Sequence, residues 1–336
     1  MVNRHLLRQK ALQSLYAYFV GGEEDMASHE KFMFDSVSNL YNLEIYLFAT
    51  ILEIRKIEQM RIEEAQTKFY PTEEEKNPNL RFINNRFIDR LAANKELQKA
   101  ITKLHINYVN QRGLFRNILN SFRRCDSYND YMKREECTYE NDRKIVCQLF
   151  KNYIMRSESL YDVLCENGFT WDSDYGYVCQ IVLQYLKTWN EDESDQKPLP
   201  YPLDTTDNTQ EESDEDYLRN IFRNTIKHAK EYEPYIENNS KNWDRDRLAL
   251  IDVLIIKMAI TEFIYCPSIP LRVSLDEYIE LSKEFSTSKS RLFINGVLDR
   301  IITELRVDNK IHKDNDESLY FENSEGSMET YNHQSE

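Results

Sequence analysis

The sequence predicts an all-α protein, and three observations carry that prediction. Only seven Gly and eight Pro occur in 336 residues, too few for a chain built from many β-turns. Apolar residues recur at helical spacing through long, charge-rich runs. Leu, Ile, Lys and Glu are abundant, as helical chains favour. The apolar fraction of 41% supports a real core, and the length allows one large or two ordinary domains.

Residues 3–20 form the first amphipathic helix. Leu7, Ala11, Leu15 and Phe19 fall at every fourth position, with Leu12 and Tyr16 beside them. Arg4 and Arg8 share another stripe, and Gly21-Gly22 stops the helix. Residues 29–68 continue as a long helical pattern, aromatic-rich at Phe32, Phe34, Tyr41, Tyr46 and Phe48. Pro71 and Pro78 bound a loop that breaks it. Residues 79–92 read as coil followed by a short helix. Helical patterns then occupy about 94–121, 128–134, 139–153, 157–167 and 174–189.

Residues 190–216 lack periodicity, carry three prolines and are strongly acidic, which reads as an exposed loop or linker. Helix returns over 215–238. Residues 244–265 are the most apolar helix, with Leu248, Ile251, Leu254, Ile255, Met258 and Phe263 covering much of its circumference. Such a helix is central and mostly buried. Pro267 and Pro270 mark a tight connection. Ser274 with Glu277 forms a capping box for a helix over 275–285. The last helix, about 290–305, is defined by Leu292, Phe293, Val297, Leu298, Ile301, Ile302 and Leu305. A hairpin turn at Asn295-Gly296 is rejected, because the apolar spacing continues across it. A Gly inside a helix costs about 1 kcal/mol against Ala, which suggests close approach of a backbone or ligand there. The expected organisation is an N-terminal helical region over 1–189, an acidic linker over 190–216, a C-terminal helical bundle over 217–306, and a disordered acidic tail over 307–336.

The net charge of −15 is unevenly placed. Residues 190–216 contribute −10 and residues 307–336 contribute −6, so the remaining body carries +1. The first 22 residues hold Arg4, Arg8 and Lys10 and no acid. The acidic excess therefore reports on two segments and does not exclude a nucleic-acid partner. Cys125, Cys137, Cys147, Cys165, Cys179 and Cys266 contain no C-x-x-C pair, so reduced core cysteines are expected rather than structural zinc. No apolar run reaches about 18 residues, so no membrane span is expected, nor a signal peptide. A cytoplasmic protein is expected.

No catalytic constellation occurs: there is no G-x-S-x-G, no Gly-rich phosphate loop and no H-E-x-x-H. No enzyme activity and no cofactor or metal are expected. Two segments remain as candidate sites. In the N-terminal helix, Arg4, His5, Arg8 and Lys10 are placed to meet phosphates, although an ordinary solvated helix face has the same composition. In the second segment Lys289 and Arg291 sit at a helix start, where cations oppose the helix dipole. That placement suits a polyanion neighbour or a tolerated surface charge. Phe293 beside them would stack on an unpaired base or finish the core.

The C-terminal third also resembles the NusB family of transcription antitermination factors. The residues that carry the resemblance are Glu262-Phe263-Ile264, Ile269-Pro270, Asp276-Glu277 with Lys283-Glu284-Phe285, and Phe293-Ile294-Asn295-Gly296-Val297-Leu298-Asp299. The basic start leading into Ala11-Leu12-Gln13-Ser14-Leu15-Tyr16 is similar to the other end of the family. The resemblance implies a pair of packed helical bundles, here with an enlarged helical N-terminal region. It also implies an RNA-binding factor of the RNA polymerase elongation complex. Its ligand would be boxA-like single-stranded RNA of nascent ribosomal transcripts, bound together with the NusE-type small-subunit ribosomal protein. Arg4, His5, Arg8, Lys10, Lys289, Arg291, Phe293 and Asn295 would then lie on the RNA side. A protein-only helical scaffold in transcription or ribosome assembly is the alternative. The chain departs from the family pattern by an expansion between about 20 and 190.

Overall fold

Helical periodicity is realised through most of the described residues. The computed structural model describes residues 4–22, 25–136, 138–168, 170–201, 213–240 and 249–314. Among these, every regular element is helical and no strand occurs, as the composition predicts. In chain order they are α1 (Arg4–Val20), α2 (Met26–Gln66), α3 (Glu73–Lys76), α4 (Arg86–Ala93) and α5 (Lys95–Lys103). There follow α6 (Arg112–Arg123), α7 (Asp126–Lys133), α8 (Tyr139–Leu149), α9 (Glu158–Cys165) and α10 (Trp171–Thr188). The last five are α11 (Asp214–Lys227), α12 (Glu233–Asn239), α13 (Leu250–Tyr265), α14 (Leu271–Phe285) and α15 (Ser288–Val307).

The chain divides into two compact units that do not follow chain order. The first comprises residues 1–37 and 203–336, the second residues 38–202. The region expected as a single N-terminal body over 1–189 is thus parted, its first helix belonging with the C-terminal bundle.

In the first unit α13 is the axis. Leu254, Ile255, Ile256, Met258, Ala259, Ile260 and Phe263 are buried against α1, α11, α14 and α15. Each of the Leu, Ile, Met and Phe side chains contributes about 1.5–3 kcal/mol by leaving water. The expected start of this helix at 244 lies outside the described residues, as does Leu248. Leu7, Ala11 and Leu15 of α1 are fully buried, as their spacing requires. The C-terminus of α13 is closed by Lys313, whose Nζ donates to the carbonyls of Glu262 (3.1 Å) and Cys266 (2.8 Å). A cation there also complements the helix dipole. The start of the segment expected as a free tail is therefore docked through Asp314, and residues 315–336 lie outside the described residues.

Three local expectations are corrected. The capping box at Ser274 and Glu277 does not form, because α14 starts one turn earlier, after Pro270. Leu292, expected on the buried stripe, is 68% exposed. No backbone crowds Gly296: a Cβ there would meet only the Arg300 guanidinium, at 3.8 Å.

The second unit packs aromatic rings at its core, with Phe82, Phe122 and Tyr128 in mutual edge contact and Phe87 against Trp189. The helical run expected over 94–121 is broken after Lys103, where His105 takes the left-handed conformation at φ 52°. Residues 190–201, expected within a free acidic linker, are instead laced to α4 and α5. Arg90 donates to the carbonyls of Asn190 (3.0 Å) and Glu193 (2.7 Å), and Asn94 to that of Lys197 (2.9 Å). Residues 202–212 of that segment lie outside the described residues.

Candidate nucleic-acid interface

The acid-free start of the chain folds as α1 because its apolar positions have a core to meet. Its cations ride with it. Arg8 is only 2% exposed and forms a two-pronged pair with the fully buried Glu262, Nε to Oε2 at 2.9 Å and Nη2 to Oε1 at 2.5 Å. Tyr217 (2.7 Å) and Tyr278 (2.9 Å) donate to Oε2, and Ser274 (2.7 Å) to Oε1. Burial works to raise the Glu262 pKa, but Arg8 and the hydroxyl donors overcome it and hold it below the ordinary carboxylate value. Burial first, and then the Glu262 carboxylate beside them, lifts the phenols of Tyr217 and Tyr278 far above their usual value.

Arg8 also reaches Glu277 at 3.2 Å. His5 lies between two carboxylates, Nδ1 2.9 Å from Glu277 and Nε2 3.1 Å from Glu284. The hydrogen bond to Glu277 raises the His5 pKa above 6.5 against the opposing effect of burial, and the same bond lowers that of Glu277. Arg4 lies over the Tyr217 ring (5.0 Å) and 3.7 Å from Asp214. Lys10 is buried. The structure therefore gathers Arg4, His5 and Arg8 on a carboxylate-rich seam of α11, α13 and α14.

The second candidate segment has a different character. Thr287 caps α15, accepting the Ser290 N–H at 3.1 Å. Lys289 and Arg291 in its first turn are exposed and have no ion-pair partner among the described residues. Phe293 turns inward, 3% exposed, with Ile294, Val297 and Leu298. Asn295 and Gly296 are half-buried, and the Gly296 carbonyl accepts from Arg300 Nε at 2.9 Å. The open face thus consists of Lys289, Arg291 and Leu292, with Asn295 and Gly296 one turn on. Two exposed cations without local acids can meet an anion; the buried Phe293 cannot reach a base without repacking. Both clusters lie in the first unit.

The buried partners of Arg8 were absent from the sequence-level candidates. One signal pointed to them. Glu262 is an acid inside the most apolar helix, and a buried carboxylate requires a cation and further donors.

Against known proteins, the NusB family model matches residues 177–303, which include the whole of α11–α14 and α15 as far as Thr303. The chain is 37% identical over 112 residues to the transcription antitermination protein NusB of Salinibacter ruber, covering 33% of this chain and 67% of that protein. It is 39% identical over 89 residues to that of Natranaerobius thermophilus, covering 26% of this chain and 64% of that protein. For the NusB protein of Chloroherpeton thalassium the identity is 34% over 98 residues, 29% of this chain and 46% of that protein. No solved structure gives a significant match. The motif around Phe293–Asp299 and the seam closed on Glu262 both fall within or against the matched segment, and the chain belongs to the NusB family.

Proposed function

We propose that this transcription antitermination protein is a non-enzymatic, cytoplasmic RNA-binding factor. It takes boxA-like single-stranded RNA of nascent ribosomal transcripts, together with the NusE-type small-subunit ribosomal protein, at an RNA polymerase elongation complex. The observation that supports it best is the open start of α15. Lys289 and Arg291 stand exposed where the helix dipole disfavours cations, and no acid of the described residues pairs with them. Phosphates supply the missing charge, and Asn295 one turn on offers an amide to a base edge. Arg4, 31% exposed, and the rim of His5 extend the contact from α1. Arg8 and Lys10 serve as positioning residues that hold α1 in place. Among the described residues no helix is long and apolar enough to cross a membrane.

The burial of Arg8 and Lys10 favours a second reading, since it removes two expected phosphate contacts. In that reading the chain is a protein-only scaffold with little RNA binding. A titration of labelled boxA-like RNA, with and without the NusE-type protein, separates the two. The RNA reading expects Lys289→Gln/Arg291→Gln to weaken binding and to lower the salt slope by about 1. Absence of binding in both conditions would sink it.

A further inference from the structure

Outside the family match, residues 95–124 hold seven Lys and Arg against one acid, Glu96, in a chain of net charge −15. Glu96 is already engaged: it accepts from the Tyr41 hydroxyl and from the Leu199 N–H, both at 3.0 Å. On α5, Lys95, Lys99 and Lys103 are all exposed, and none has an ion-pair partner among the described residues. They recur every fourth residue, so they step about 6 Å along the helix axis. That step is comparable to the spacing of successive phosphates in an extended single strand.

Beside the stripe lies an open groove of ≈ 710 Å³. Gln98 and Thr102 of α5 line it on the side adjoining the lysines, with Glu53, Lys56, His105 and Asn107 around the rest. One Glu53 carboxylate oxygen is shut from solvent and has no hydrogen-bond donor, while the other lies 3.7 Å from Lys56 Nζ. His105 holds a left-handed conformation that glycine would adopt without strain, and Ile106 N–H closes the helix end on Ile101 at 3.1 Å. The groove therefore combines a carboxylate that accepts no hydrogen bond, amide side chains and a strained rim beside a ladder of free cations.

We propose that this face of the second unit is a separate surface for single-stranded RNA. The α5 lysines take successive phosphates, and the groove receives one base whose exocyclic amino group donates to Glu53 Oε2, the carboxylate oxygen that is not shut from solvent. An acidic peptide is the rival occupant. The Glu53 acceptor inside the groove and the one-cation-per-turn spacing favour RNA. The surface shares no residue with the α15 site and stands independently of it.

The test uses the full chain and a labelled oligoribonucleotide of mixed sequence, titrated across a salt series. Lys95→Gln/Lys99→Gln/Lys103→Gln is expected to fold normally, since all three side chains are exposed, and to lower the salt slope by about 2. Glu53→Gln is expected to keep the slope and to lose preference for cytosine- or adenine-rich over uridine-rich RNA. Photo-crosslinks are expected within residues 98–109, and to persist in Lys289→Gln/Arg291→Gln. A wild-type slope and affinity in the triple lysine variant overturn the proposal. So does polyglutamate binding that is tighter than RNA and lost in the same variant. Loss of the α15 effect with the lysine effect intact would remove only the boxA reading.

Discussion

A carboxylate with no exposure stays ionised only if its neighbours outweigh its lost hydration, and Glu262 has five donors to do so: two from Arg8 and one each from Tyr217, Tyr278 and Ser274. Arg8→Met leaves that charge buried without its cation, and is expected to cost about 3–5 kcal/mol in urea denaturation. Arg8→Met/Glu262→Leu is expected to recover part of the loss. A double variant no more stable than the single would show that the two residues do not act as a pair. At the rim, the His5 pKa is raised above 6.5 and that of Glu277 is lowered below 4.5. The His5 contribution is thus fully present below pH 6.5 and fades as the pH climbs through the raised folded value. The Glu277 contribution is present above 4.5 and fades as the pH falls through its lowered folded value. His5→Gln is expected to flatten the decline of Tm above pH 6.5, and an unchanged decline would assign it to other groups. The sequence made the cations of α1 visible and left their partners hidden, because Glu262 and Arg8 are 254 residues apart. Periodicity identifies a buried face but does not say which distant helix covers it.

Helix ends carry much of the remaining specification. Asn94 closes α4 and opens α5: its Oδ1 accepts the Leu97 N–H at 3.0 Å, and its Nδ2 holds the Lys197 carbonyl at 2.9 Å. Asn94→Ala removes the cap and releases the 190–201 strap at Lys197, with an expected loss of about 1–2 kcal/mol by thermal or urea unfolding. Asn94→Asp keeps the acceptor and loses the donor, so a smaller loss is expected from it. The Ser274/Glu277 motif illustrates the opposite case. Its spacing satisfies the local capping rule, but Ser274 donates to Glu262 and Glu277 receives His5 and Arg8, so tertiary partners claim both side chains. Gly296 is similar. A Cβ there would make only ordinary contact with the Arg300 guanidinium, so Gly296→Ala is expected to stabilise the fold by up to about 1 kcal/mol. If the same variant weakens boxA-like RNA binding, the glycine serves ligand approach; unchanged binding assigns it to neither role.

Charge is the property that belongs to the whole molecule, and its sequence-level placement survives only in part. The split into an acidic linker, an acidic tail and a nearly neutral body was readable from composition. What composition could not give is that residues 190–201 are bound down by Arg90 and Asn94, or that Lys313 closes the end of α13. Each is a long-range hydrogen bond without periodic trace. The position of Lys313 decides where a truncation is informative. Removing residues 315–336 deletes six acids and no Lys or Arg, taking the net charge from −15 to −9, and leaves Lys313 and Asp314 in place. A cut after Arg306 deletes the α13 closure as well and confounds charge with stability. If the acidic segment competes with RNA for the cationic surfaces, the truncation after Asp314 raises RNA affinity at low salt. The gain shrinks as salt screens the competitor. Thermal stability is expected to stay within about 0.5 kcal/mol of the full chain, because no described core contact is lost. Equal affinities at low salt would refute the competition and leave the segment with no part in RNA binding.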